Sequence, residues 1–303
     1  MRVLAAPDVA ISHRLRPSPY GGSNQFLLAL RGELEGRGVR VSDGRIPRRA
    51  RTVLLHAFLL DGRVPEGARV VHRVDGPVQL YRGADDGADE QIVELNRKHA
   101  DRTIFQSRWS LEAHRGLGIE LRDPVVVPNA VDARIFHPPA ERTPLDGRRV
   151  RVVATSWSAN PRKGGETYAW LAQAIDRDRY ELTFVGRSAV PVEAEHVVEP
   201  LASAELAEVL RGQDVYVTAS LDDPCSNALL EALSCGLPAL FARSGGHPEL
   251  VGDAGLPFDD RAELPELLDR LAAELDERRA AIAVPRLEDV ADRYLDALGI
   301  APR

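Results

Sequence analysis

Short apolar runs alternate with longer amphipathic stretches along the whole chain, and this alternation constrains the fold more than any single motif. Arg2 to Ala6, Val39 to Val41, Val53 to Ala57, Val70 to Val74, Thr103 to Gln106 and Val125 to Val127 read as strands. Between them lie helical segments at Asn24 to Gly36, with Phe26, Leu27, Leu30 and Leu34 near one face, at Asp89 to His99, and after Ser107. Pro138, Pro139, Pro144 and Gly147 then interrupt the pattern, which starts again with strands at Val150 to Ser156, Leu182 to Gly186, His196 to Val198, Val215 to Ala219 and Ala239 to Ala242. Ala204 to Arg211 behind Ser203, Ala262 to Arg279 and Leu287 to Leu298 read as helices. Strands that alternate with helices pair in parallel, because a parallel pair needs a crossover of helical length. The chain is therefore expected to be α/β, with two doubly wound parallel sheets facing each other across a cleft: residues 1–140, residues 141–285, and a last helix in residues 286–303.

Composition narrows the partners. A net charge of −7 on 303 residues argues against nucleic acid, whose phosphates call for a basic surface. The run holding Arg45, Arg48, Arg49 and Arg51 reads as a solvated loop, with an acidic substrate or a peripheral membrane contact as the other readings. The acidic run Asp85 to Glu90 follows no strand and reads as a solvated loop. Cys225 and Cys235 form neither a C-x-x-C pair nor a zinc pattern. No apolar run approaches the roughly 18 residues of a membrane span, and the first seven residues are too short for a signal peptide, so the expected location is the cytoplasm.

Four places look able to hold a ligand. In D-D-P-C-S-N-A-L-L-E-A-L-S-C-G-L-P, Asp222 to Pro238, Ser226 can cap a helix that starts near Asn227 and stops before Gly236. The free N–H groups of such a terminus, aided by the helix dipole, suit a phosphate or diphosphate, and Asp223 and Glu231 flank that seat. Lys163 before Gly164-Gly165 sets a cation beside a flexible backbone and another helix start. Gly21-Gly22 lets backbone approach a ligand, with Ser23 as the expected N-cap. At the end of Val70 to Val74, Arg73 and Asp75 share one face and His72 takes the other. Arg73 and Asp75 either pair with each other there or face a ligand, since open parallel sheets bind ligands outside the carboxyl ends of their strands.

These segments resemble a known family. G-G-S-N-Q-F-L-L-A-L, V-V-P-N-A-V-D-A-R-I-F-H-P, K-G-G-E-T and D-P-C-S-N-A-L-L-E-A-L-S-C-G-L-P are similar, in the same order, to motifs of the family 4 retaining glycosyltransferases (glycosyl transferases group 1). The resemblance implies the GT-B fold, two Rossmann-like domains, with the acceptor in the first and a nucleoside diphosphate sugar donor in the second. It implies that the last helix packs back on the first domain and that no metal or other cofactor is needed. By the same resemblance, Glu231 takes the ribose hydroxyls, Asp223 the transferred sugar, and Ser226, Asn227 and Ala228 the diphosphate. Lys163 matches the family's phosphate-binding Lys, Ser158 stands where the family has Arg, and Arg162 is its nearest substitute. Gly21 and Gly22 match the glycine loop, while Asp75, with Arg73 beside it, falls where many members carry His. Asp223 stands in place of the motif's first Glu, Ala130 in place of a Gly and Ser234 in place of an Ala. The implied reaction is transfer of a sugar to an acceptor hydroxyl with retention. Epimerase and phosphorylase chemistry on the same fold, or a silent sugar-nucleotide-binding protein, are the other readings.

Overall fold

The computed structural model describes residues 6–16 and 21–301. The first unit, with its carboxyl-terminal contribution, comprises residues up to Ala130 and from Pro285 on. Its strands are β1 (Val9–Ile11), β2 (Val41–Asp43), β3 (Thr52–His56), β4 (Arg69–Val74), β5 (Arg102–Phe105) and β6 (Pro124–Val126), in the order β2-β1-β3-β4-β5-β6 and all parallel. Its helices are α1 (Gly22–Gly36), α2 (Val78–Arg82), α3 (Ala88–His99) and α4 (Arg108–Gly116). The strand expected at Arg2 to Ala6 lies almost wholly outside the described residues, and Val9–Ile11 is the first strand among them. The second strand sits two residues later than its apolar run, because Val41 pairs with Val9 while Val39 packs below in the core.

Side-chain alternation assigns the two faces of this sheet. Val9, Ile11, Leu54, Val71 and Ile104 point to one side, against Phe26, Leu27, Leu30 and Leu34 of α1. Ala10, Val53, Leu55 and Val70 point to the other, with Val74 and Phe105 meeting Ile92 of α3 beside them.

The second unit runs from Val131 to Val284. Its strands are β7 (Val150–Ser156), β8 (Tyr180–Gly186), β9 (His196–Val198), β10 (Val215–Thr218), β11 (Ala239–Ala242) and β12 (Gly255–Phe258), ordered β12-β11-β10-β7-β8-β9 and again parallel. Its helices are α5 (Gly165–Ala174), α6 (Ser203–Arg211), α7 (Asn227–Ser234), α8 (His247–Val251), α9 (Leu264–Ala273) and α10 (Leu275–Ala280). The stretch expected as one helix from Ala262 is thus a 3₁₀ turn and two helices, with Pro265 in the first turn of the first of them. α6 begins at Ser203 itself, so Ser203 is no cap: Glu205 reaches back to accept from the Ala202 N–H at 3.1 Å.

The division between units falls after Ala130, ten residues before the boundary expected after residue 140. Phe136, with Val131 and Ile135, packs among Leu229, Leu230 and Leu233 of α7, so the chain joins the second core before it reaches Pro138. The last helix, α11 (Leu287–Leu298), belongs to the first unit. Val290, Ala291, Tyr294 and Leu295 extend the core on α1, and Arg37 of α1 donates to the Glu288 carbonyl at 2.9 Å.

Candidate functional site

In the second sheet the chain lays down β7, β8 and β9 in one direction and then returns to the other side of β7 with β10. The loops after β7 and β10 therefore part to opposite sides, leaving a crevice at the carboxyl ends of the strands. Those two loops hold the residues singled out from the sequence.

α7 forms where expected. The Ser226 side chain accepts from the Leu229 N–H at 3.3 Å, Cys235 ends the helix and Gly236 turns away at φ +78°. Arg142 donates to the Cys235 and Gly236 carbonyls at 2.8 and 2.9 Å, satisfying acceptors that the helix end leaves over. Asn227 and Ser226 are buried at the N-terminus, and Ala228 follows them in the first turn.

Two bases of the β7 loop meet two acids of the β10 loop. Lys163 Nζ donates to Asp223 Oδ2 at 2.7 Å, and Arg162 pairs with Asp222, whose φ of +53° bends the chain left-handed there. Burial pushes the Asp223 carboxyl up, but Lys163, with His247 and the Cys225 N–H, outweighs it and holds the group below its ordinary range. Ser158 is occupied by its own loop: its carbonyl accepts from Ser156 Oγ at 3.1 Å and its hydroxyl from the Asn160 N–H at 3.3 Å. Asp222, in contrast, is a partner the sequence reading passed over, although it directly precedes Asp223.

Glycine closes this crossing. A Cβ on Gly164, at φ +82°, would lie 2.6 Å from both the Cβ and the carbonyl oxygen of Ala219. Gly164→Ala is expected to cost at least about 2 kcal/mol from strain and overpacking together. Denaturant unfolding checks this, and a change below about 0.5 kcal/mol would show that the two loops do not need this close approach.

Glu231 stands one turn into α7, buried. Neither a hydrogen bond nor an ion pair reaches its carboxyl among the described residues, and burial pushes it up to about 8. A buried acid without partners is costly unless something else is to meet it.

The first unit carries a second cluster at the carboxyl end of β4. Arg73 is wholly buried, lies 5.0 Å above the Phe26 ring centroid, and its Nη1 donates to Asp75 Oδ1 at 3.0 Å and to His56 Nδ1 at 3.2 Å. The pairing of Arg73 with Asp75 is therefore real, and Asp75 still opens to solvent, with 35% of its side chain exposed. Burial raises the Asp75 carboxyl, while the Arg73 charge and hydrogen bonds from Ser23 and Gln106 outweigh it, leaving the group below its ordinary range. Burial also drives His56 down to about 3, so it is a neutral acceptor for Arg73. His72, on the opposite face, donates from Nε2 to the Ala57 carbonyl at 2.8 Å and is a core residue.

Ser23 is not the cap expected of it. α1 starts at Gly22 behind Gly21 at φ +73°, with no side-chain cap, and Ser23 Oγ instead donates to the Asp75 carboxylate at 3.2 and 3.3 Å. A Cβ on Gly21 would meet nothing within 4 Å among the described residues. Gln106 and Asn129 complete this cluster, and sequence reasoning missed both as site residues. The available signals were the polar end of a strand for Gln106 and the P-N-A-V-D motif for Asn129.

Arg45, Arg48, Arg49 and Arg51 are exposed, and no carboxylate pairs with them among the described residues. The group of potential metal ligands among the described residues, Glu181, Glu195 and His196, belongs to β8, β9 and the turn before β9, and Arg149 pairs with both glutamates. No helix among the described residues is long and apolar enough to cross a membrane.

Two Rossmann-like parallel sheets in one chain define the class: this is the GT-B fold, and solved glycosyltransferase structures share it. Sucrose-phosphate synthase from Thermosynechococcus elongatus superposes with a TM-score of 0.69 at 18% identity, covering 98% of this chain and 95% of that one. The Anabaena protein HepE in complex with UDP-glucose gives 0.66 at 14% identity, covering 96% and 95%. Within that class, residues 152–274 match the family described as Glycosyl transferases group 1, which bears out the resemblance seen in the motifs. The D-inositol 3-phosphate glycosyltransferase of Corynebacterium efficiens is 28% identical over 227 residues, 72% of this chain. The chain spans 48% of that relative's length.

Proposed function

We propose that this chain is a family 4 glycosyltransferase that moves a sugar from a nucleoside diphosphate sugar to an acceptor hydroxyl, with retention and without a metal. The observation that carries this reading is the crevice of the second sheet, where the capped terminus of α7, the Lys163–Asp223 pair and the partnerless Glu231 come together in the segment that matches the family. In the reaction the anomeric C–O bond breaks and its electron pair leaves on the diphosphate, while the acceptor oxygen bonds to the same carbon on the same face. The acceptor's proton departs with the diphosphate. Negative charge thus grows on the diphosphate, where the N–H groups from Ser226 to Ala228 and, on leaving Asp223, the Lys163 ammonium stabilise it. Arg162 is a second cation, and Ser158 shapes the loop that carries both. Glu231, as a carboxylate, accepts from the two adjacent ribose hydroxyls. Asp223 contacts the sugar once Lys163 turns to phosphate.

A panel of nucleotide sugars, with products followed by mass spectrometry, tests the reading. Slow hydrolysis of one donor, with the anomeric configuration retained and undiminished in chelator, is the expected result. Interconversion of two sugars would make the protein an epimerase. Binding without turnover of any donor would make it a silent binding protein.

A further inference from the structure

The hydrogen bonds around Asp75 form a closed ring of side chains whose polarity is dictated at one point. Arginine has donors only, so Asn129, bonded to Arg73 Nη2 at 2.9 Å, must present Oδ1 to it. Its Nδ2 then points away and donates to Gln106 Oε1 at 2.9 Å. Gln106 is left with Nε2, which donates to the Val74 carbonyl at 3.2 Å and to Asp75 Oδ1. Arg73 Nη1 closes the ring on the same oxygen. Arg73, Asn129 and Gln106 are all buried, so the bonds among these three form without competition from water. Among the described residues, every group that reaches the Asp75 carboxylate is a donor, and two of the three converge on Oδ1 alone. The third, Ser23, has one proton to divide between Oδ1 and Oδ2. Oδ2 is left with acceptor capacity on a side chain that is one-third exposed.

We propose that Asn129 and Gln106 are positioning residues that, with Arg73, fix Asp75 as a carboxylate through Oδ1 and leave Oδ2 to accept from a substrate hydroxyl. A fixed anion takes a neutral hydroxyl and repels phosphate or carboxylate, so the substrate group bound at this point is an uncharged alcohol of a polyol or sugar. This deepens the glycosyltransferase reading and rests on it. The ring also gives a role to Asn129 in the P-N-A-V-D motif that sequence comparison used only as a marker.

The test is a carbon-13 NMR titration of the protein labelled at its aspartate carboxyls, with the Asp75 signal assigned by its loss in Asp75→Asn. Asn129→Ala and Gln106→Ala each remove donors and are expected to raise the Asp75 midpoint by about one pH unit or more. Gln106→Asn, which keeps the amide, is expected to recover part of that shift and serves as the folded comparison if an alanine variant unfolds. In the parent protein, myo-inositol as a neutral polyol probe should shift the Asp75 signal and inorganic phosphate should not. Midpoints unchanged within about 0.3 units in all three variants, or phosphate shifting the signal where inositol does not, would overturn the proposal. These readouts involve no turnover. A normal Asp75 titration with no transfer from any donor would therefore count against the glycosyltransferase reading and leave the positioning role standing.

Discussion

Lys163→Ala is expected to lower turnover of the nucleotide sugar by about 10²- to 10³-fold, the usual cost of losing one fixed charge-stabilising donor in a transition state. The same change removes the partner of Asp223, so part of any loss could come from a disturbed loop. Both side chains are largely buried, and breaking such a pair strands a carboxylate at a cost of about 2–3 kcal/mol. The two effects separate in a double-mutant cycle. Asp223→Asn added to Lys163→Ala takes away the stranded charge and should recover most of the stability, measured by urea unfolding, while turnover stays low. If the double variant recovered turnover along with stability, or if Lys163→Ala alone cost less than about threefold, Lys163 would serve the loop and not the diphosphate. The pair also sets an acid limit. The Asp223 carboxyl is held below its unfolded value by Lys163, so its contribution to stability is present above that unfolded value and is lost as pH falls through the folded one.

The elements that bury an apolar face were legible in the sequence, because burial writes its period directly into the residue pattern. β7, β9, β11 and α11 have the bounds read from the sequence, and α7 starts and stops at its cap and its glycine. Errors arose where a residue's partner lies far along the chain. Ser23 looks like a cap by its place before an amphipathic helix, yet its hydroxyl is taken by Asp75, 52 residues on. Val131 to Phe136 carry no mark of which core they join, and only packing against α7 decides it. β12 was missed because Gly255-Leu256-Pro257-Phe258 is poor in strand formers; it pairs as an edge strand, where Pro257 is tolerated.

The donor-site residues were legible as residue types but not as a geometry. Sequence placed Lys163 and Asp223 as separate contacts for phosphate and sugar, 60 positions apart. The strand order makes them neighbours, because β7 and β10 are adjacent only after the chain has reversed direction across the sheet. Asp223 in place of the longer Glu is consistent with that contact, since the shorter carboxylate lies directly against the Lys163 ammonium at 2.7 Å. The Asn129–Gln106 ring was illegible for a related reason. Its members come from the ends of β4 and β5 and from the motif after β6, and only the register of three parallel strands sets their ends side by side.

Glu231→Gln is expected to stabilise the empty protein at pH 8 while weakening nucleotide binding. In the folded chain the Glu231 carboxyl titrates at about 8, against about 4.3 for an unfolded glutamate. Unfolding therefore releases a proton throughout that window, and stability falls as pH rises from about 4.5 to 8, then levels off. Glutamine has no proton to lose. The variant should match the parent near pH 4.5 and exceed it at pH 8 by as much as about 4 kcal/mol, read from urea unfolding at several pH values. Binding reverses the preference. Two ribose hydroxyls donating to a carboxylate favour its charged form, so nucleoside diphosphate should bind with release of a proton and bind more tightly, by up to about tenfold per pH unit, between pH 6 and 8. A terminal phosphate also titrates near pH 6, so the quantity to measure is the difference between parent and Glu231→Gln, by calorimetry in two buffers of unequal ionisation enthalpy. The expected outcome is close to one extra proton released by the parent at pH 7 and a flatter pH dependence in the variant. Equal proton release by both proteins would remove Glu231 from the ribose site, because no other change between them could cancel the titration of a carboxyl that binding had charged.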